Sequence, residues 1–219
     1  MGNKAKIKIC GLSRAEDIQA ANELKPEYIG FVFYEKSKRN VSEEQAAGLR
    51  ETLAQDIIPV GVFVEPPMDM VLRLLRRGTI SIAQLHGGES EEYIRELKSR
   101  LSEPGQFQDG TKYHTDGSVI KAVLVRTPED LKGALDTSAD YLLLDQGLGS
   151  GETFDWDMAR DIMRDFSKPF FLAGGLDAYN VKAAIDKLHP YAVDISSNVE
   201  TEGVKDKSKI KAFIDAVRR

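Results

Sequence analysis

Two residues capable of proton chemistry close short apolar runs: Cys10 ends KIKIC (6–10) and Asp145 ends YLLLD (141–145). A carboxylate placed after three leucines needs a buried partner or a raised pKa to be tolerated there. A thiol in such a place is either a small buried hydrophobe or, once ionised, a reactive group. Gln84 and His86 lie two apart at the end of ISIAQLH (80–86), so an extended chain puts them on one face. Arg39 follows YIGFVF (28–33) in the stretch Ser37-Lys38-Arg39. Two further segments suit an anion. Gly174-Gly175 ends PFFLAGG (169–175), and Asp194, Ser196 and Ser197 belong to AVDISS (192–197). Paired glycines let a phosphate approach backbone N–H groups closely, and the two hydroxyls and a helix start add donors.

Each feature also has a plainer reading. Asp145 could cap a helix or join an ion pair, Arg39 could be a solvated charge, and His86 a satisfied polar group. Ser197 and Glu200 have the spacing of a capping box.

The elements that must position these residues follow from periodicity. Strand-like runs at 6–10, 28–33, 58–64, 80–86, 119–125, 141–145, 169–175 and 192–197 alternate with helical segments. The helices are expected to start on a capping box at Ser13…Glu16, on Ser42, within ESEEYIRELKSRL, and on Asp177; KSKIKAFIDAVRR forms the last. Strand alternating with helix implies parallel pairing with right-handed crossovers. Eight such units predict an α/β fold: a single (β/α)8 barrel with a closed parallel sheet over residues 1–219. An open doubly wound sheet is disfavoured because the first turn, CGLSRAED, carries one glycine rather than a dinucleotide fingerprint. The polar stretch 102–117 is expected to be a surface loop or hairpin before the fifth strand. In such a barrel, reacting groups sit at the C-terminal strand ends, which is where Cys10, Arg39, Gln84, His86, Asp145, Gly174, Gly175, Asp194, Ser196 and Ser197 all fall. That asymmetry points to an enzyme.

Composition narrows the class. A net charge of −5, with 30% charged residues and no basic run, gives no footprint for nucleic acid or an anionic membrane surface. The single cysteine forms no intrachain disulfide, and the three histidines are far apart, so neither a metal site nor a cofactor is expected. MGNKAKIKIC lacks the apolar stretch of a signal peptide, and Lys6 spoils a myristoylation motif. The expected setting is the cytoplasm, the expected partner a small phosphorylated molecule, and the expected state a monomer or homodimer.

The chain resembles the phosphoribosylanthranilate isomerases of tryptophan biosynthesis. The resemblance rests on KICGL (8–12), GFVFYEKSKRNV (30–41), VGVFV (60–64), AQLHGGE (83–89), LLLDQGLGSGETFDW (142–156), PFFLAGGL (169–176) and VDISSNVETEGVKD (193–206). It implies an Amadori rearrangement of an aminoaldose phosphate to an aminoketose. In that reading Asp145 is the general acid and Cys10 the general base, Arg39 pairs with the anthranilate carboxylate, and Gln84 and His86 lie near the substrate. Gly174, Gly175, Asp194, Ser196 and Ser197 would line the phosphate pocket, and the Gly-Ser run 147–151 would cover the substrate. Lys38 stands where the family usually has Pro. Asn198 stands at a family glycine, so a left-handed turn is expected there. The rival readings are another phosphosugar barrel enzyme or a catalytically silent ligand-binding barrel. An epimerase would require a metal site. A Schiff-base lyase would require an inward lysine, for which Lys121 is the candidate.

Overall fold

A computed structural model describes residues 5–145, 156–164 and 166–219. Eight parallel strands close on themselves in chain order. They are β1 (Lys6–Cys10), β2 (Tyr28–Phe33), β3 (Ile58–Phe63), β4 (Ile82–Leu85), β5 (Ser118–Leu124), β6 (Tyr141–Asp145), β7 (Phe170–Leu172) and β8 (Ala192–Ile195). Between and after them run α1 (Ala15–Leu24), α2 (Glu43–Thr52), α3 (Met68–Arg76), α4 (Glu91–Leu101), α5 (Pro128–Lys132), α6 (Trp156–Met163), α7 (Val181–Leu188) and α8 (Lys207–Arg218). The expected barrel is therefore the observed one. A short hairpin, β9 (Glu200–Thr201) and β10 (Val204–Lys205), follows the last barrel strand.

Alternation along each strand separates two cores. In β1, Ile7 and Ile9 join the large cluster that also contains Ile18, Ile210, Phe213 and Ile214 of the flanking helices. The opposite face of the sheet fills the barrel: Tyr28, Val60, Ile82, Ile120, Leu143 and Phe171 form a second, smaller cluster. Its lower end is aromatic. Tyr28 and Phe171 meet edge to face at 5.4 Å, the Tyr28 and Tyr191 hydroxyls are 2.9 Å apart, and Lys6 donates to Tyr191 at 2.6 Å.

Local starts explain where expectation and structure part. Ser42 and Ser90 cap α2 and α4, accepting from Gln45 N and Tyr93 N. The first helix instead begins at Ala15, because Asp17 reaches back to the backbone N–H of Ser13 and Arg14. The seventh begins at Val181, since Asp177 spends its carboxylate on a turn, accepting from Tyr179 N and Asn180 N.

The 102–117 segment leads from α4 into β5, at the N-terminal end of the barrel. Gln106 and Lys112 form an antiparallel bridge, and Phe107 packs edge to face on Tyr113. The Arg77 and Arg76 guanidinium groups stack over these two rings at 3.8 and 4.4 Å. It lies at the barrel end that stabilises such folds rather than the end that reacts.

Candidate active site

The sequence KIKIC places Lys8 and Cys10 on one face of β1, both turned into the barrel while the isoleucines face the helices. Cys10 is 7% exposed. Room for its sulfur is made by Gly30, its register partner on β2: a Cβ at that position would lie 2.8 Å from Cys10 Sγ. Burial pushes the thiol above its ordinary pKa, while Lys8 and Lys205 pull the other way. Lys8 is fully buried, and its ammonium lies 3.0 Å from the Asp194 carboxylate of β8. Burial opposes the Lys8 charge, yet Asp194 and Cys10 together hold its pKa above the usual lysine value.

At the end of β6, Asp145 lies 3.3 Å from His86 Nε2. On the other side of that imidazole, Gln84 Nε2 is 3.0 Å from His86 Nδ1. The Gln84 amide and the Asp145 carboxylate thus hold the two ring nitrogens of His86 from opposite sides. Gln84 Oε1 is buried without a hydrogen-bond partner.

A cavity of about 200 Å³ opens beside Asp145. Its walls bring together Arg39, Asp145, Gly174, Gly175, Asp194, Ser196 and Ser197 from loops far apart in sequence. Gly174 and Gly175 have φ of 82° and 65°, two consecutive positive-φ residues in a conformation that glycine adopts without strain. The chain after β8 enters a 3-10 turn, Ser197–Val199. Asn198 belongs to that turn and is not left-handed, contrary to the expectation; its side chain instead donates to Leu176 O at 2.8 Å, tying the loop after β7 to the one after β8.

Arg39 is not a solvated charge. Its Nε and Nη2 donate to the two oxygens of Glu200 at 2.5 and 2.7 Å, and these bonds raise its pKa. Lys205, 2% exposed in its side chain, binds the same carboxylate at 2.6 Å and donates to Ser196 O at 2.9 Å. Glu200 is therefore an anchor between two cations rather than half of a capping box, and Ser196 bonds the Cys10 carbonyl at 3.0 Å through its hydroxyl.

Most of the expected residues thus meet at one end of the barrel. Asp194 reaches the cavity wall with its carboxylate already paired to Lys8, which leaves it poorly suited to face a phosphate dianion. Cys10 adjoins the lining residue Ser196 through its carbonyl, and Gln84 and His86 reach the cavity through Asp145. Residues 147–151, expected to cover a substrate, lie outside the described residues. Lys121 points away from the interior and pairs with Glu91 of α4 at 2.6 Å, so it does not serve a Schiff-base lyase. Among the described residues no group of three or more His, Cys, Asp or Glu is placed to hold a metal, and no helix is long and apolar enough to cross a membrane.

A profile of the N-(5'phosphoribosyl)anthranilate (PRA) isomerase family matches residues 7–216. The chain belongs to this family. Relatives in the PRA isomerase family include proteins of Endomicrobium trichonymphae, 43% identical over 218 residues, and of a Thermoanaerobacter species, 40% identical over 218; each alignment spans 97% of this chain and 98% of the relative. The crystal structure of the Thermotoga maritima isomerase superposes with a TM-score of 0.83 at 36% identity, over 98% of both chains. A second isomerase structure, in complex with reduced 1-(o-carboxyphenylamino)-1-deoxyribulose 5-phosphate, gives 0.81 at 35% identity, again over 98% of both.

For a PRA isomerase, then, the sequence reading left out Lys8, Lys205 and the anchoring role of Glu200. One signal for Lys8 was present: in KIKIC it shares the Cys10 face. The partners of Lys205 and Arg39 carry no such local sign.

Proposed function

We propose that the protein catalyses the Amadori rearrangement of N-(5-phosphoribosyl)anthranilate to 1-(2-carboxyphenylamino)-1-deoxyribulose 5-phosphate, as a cytoplasmic step of tryptophan biosynthesis. The observation that carries this reading is the single cavity in which Asp145, Arg39 and the glycine and serine loops converge, in a chain of the isomerase family.

The substrate phosphate docks on the Gly174-Gly175 backbone and on Ser196 and Ser197, where outward amides favour an anion. Asp194 contributes through its backbone position and through Lys8, not as a phosphate ligand. Arg39, held by Glu200 along one edge of its guanidinium, offers the other edge to the anthranilate carboxylate. Asp145 donates a proton to the furanose ring oxygen; the C1′–O bond breaks and the anthranilate nitrogen becomes an iminium. Cys10, as thiolate, removes the C2′ proton, and the C–H electrons form the enolamine, which tautomerises to the ketone. His86, 3.3 Å away through Nε2, steadies the Asp145 carboxylate left behind. In the tautomerisation C1′ gains a proton and the C2′ hydroxyl loses one, so Cys10 gives up the proton it took, Asp145 regains the one it gave, and no cofactor enters the balance. The working unit is a monomer or homodimer.

The test follows the fluorescence of phosphoribosylanthranilate with wild type and Cys10→Ser. Wild type should consume it, and Cys10→Ser, still folded, should not. Absence of turnover in the folded wild-type protein overturns the function; full turnover in the variant overturns the base.

A further inference from the structure

The Lys8–Asp194 pair is an expensive thing to bury. Its ammonium is fully inaccessible and its carboxylate 9% exposed. Apolar side chains of similar volume commonly serve stability as well or better than a buried ion pair. Stability is therefore a weak reason for this one, and its position suggests a better one. Lys8 stands two residues below Cys10 on the same inward face. The charges acting on Cys10 come from four places: Lys8 on β1, Asp194 on β8, Lys205 on β10, and Arg39 beyond β2, the last two both bonded to Glu200. Burial is the largest influence and favours the neutral thiol; the charge of Lys8 is the largest influence against it.

We propose that Lys8, anchored by Asp194, is a positioning residue for the reaction: its ammonium holds negative charge on the Cys10 sulfur inside the barrel. The inference rests on Cys10 being the base. When thiolate, ammonium and carboxylate stand in line, the group carries one net negative charge. Transfer of the C2′ proton to Sγ forms S–H, breaks C–H, and leaves the group neutral as the iminium is neutralised in the substrate. Lys8 keeps its proton throughout. That distinguishes it from a Schiff-base lysine, which must lose its proton to attack.

Because Cys10 is the sole thiol, its ionisation can be read directly from the ultraviolet absorbance of the thiolate against pH, with Cys10→Ser as the blank for tyrosine. In Lys8→Met the midpoint should rise by about one to three pH units, the range expected on losing an opposite charge. In Lys8→Met/Asp194→Asn it should also rise, by less, because a counteracting negative charge is lost too. Turnover at neutral pH should fall about tenfold or more and recover as the pH is raised, with KM nearly unchanged. If Lys8→Met alone does not fold, the double variant, which leaves no buried charge unpaired, decides. A midpoint equal to or below that of wild type overturns the proposal. The two possible failures separate. Full turnover in Cys10→Ser removes the base and with it the role of Lys8, whereas an unmoved midpoint beside an inactive Cys10→Ser removes Lys8 alone.

Discussion

His86 stands between Gln84 and Asp145, its Nδ1 3.0 Å from the amide nitrogen and its Nε2 3.3 Å from the carboxylate. If Asp145 is the acid proposed above, the imidazole is placed to steady the carboxylate that remains once it has given up its proton. Asp145→Asn should lower kcat by at least about 10²-fold, the usual contribution of a general acid. His86→Asn should lower it by about tenfold, since the acid is kept and only its support is lost. Steady-state kinetics on both variants, with circular dichroism to confirm folding, checks the order; a His86 variant worse than Asp145→Asn contradicts it.

As the proposed base, Cys10 sets a sign for the pH profile. Burial places its pKa above the ordinary thiol value, and the thiolate is the form that accepts a proton. At neutral pH the active fraction is small and grows as pH rises. The ascending limb of kcat/KM should therefore extend into the alkaline range and vanish in Cys10→Ser. Alkylation by iodoacetamide should abolish activity, faster at higher pH and more slowly with a substrate analogue bound. A profile flat through neutral and mildly alkaline pH contradicts the assignment.

Gly30 makes room for the sulfur rather than for a turn. A methyl at that position would lie 2.8 Å from Sγ and 3.2 Å from the Cys10 Cα. Gly30→Ala should move the thiol and lower kcat about 10- to 100-fold, with about 1–3 kcal/mol lost to overpacking. Urea unfolding beside kinetics separates the two effects.

Away from the cavity, Glu91 joins α4 to β5. It accepts from Lys121 at 2.6 Å and from Ser138 N at 2.7 Å. Burial works against its charge, but these bonds hold its pKa down at about 2, from an ordinary 4.5. A depressed carboxylate stabilises the fold above the unfolded-state value, and that stabilisation is lost as pH falls through the interval between the two. Glu91→Gln should cost about 1.5–3 kcal/mol at neutral pH, as charged hydrogen bonds do. In denaturant titrations, the gap from wild type should close as pH falls from 4.5 toward 2; a gap independent of pH counts against this account.

Strand positions were legible because apolar runs bounded by turn residues leave little choice: 6–10, 28–33 and 141–145 coincide with β1, β2 and β6. The ends of those runs also carried Cys10 and Asp145 into view. Helix starts were less legible, since several polar residues compete for each cap and tertiary contacts choose among them, as Asp17 and Asp177 illustrate. The charged partnerships were least so. Arg39 and Glu200 are 161 residues apart, and nothing local marks them as a pair. Which face of KIKIC turns inward is likewise settled by closure of the barrel, which makes Lys8 the most buried charged side chain among the described residues.

The Lys8–Asp194 contact spans 186 residues, and this has a consequence during synthesis. The ammonium is made 186 residues before its counter-ion, and the hairpin that carries Glu200, the partner of Arg39, follows later still. A partly made barrel would have to bury an unmatched charge at its centre, a cost of several kcal/mol. The early strands are thus disfavoured from sealing around Lys8 before the eighth arrives. The pair proposed to prepare the base would in this way also hold back closure of an incomplete barrel.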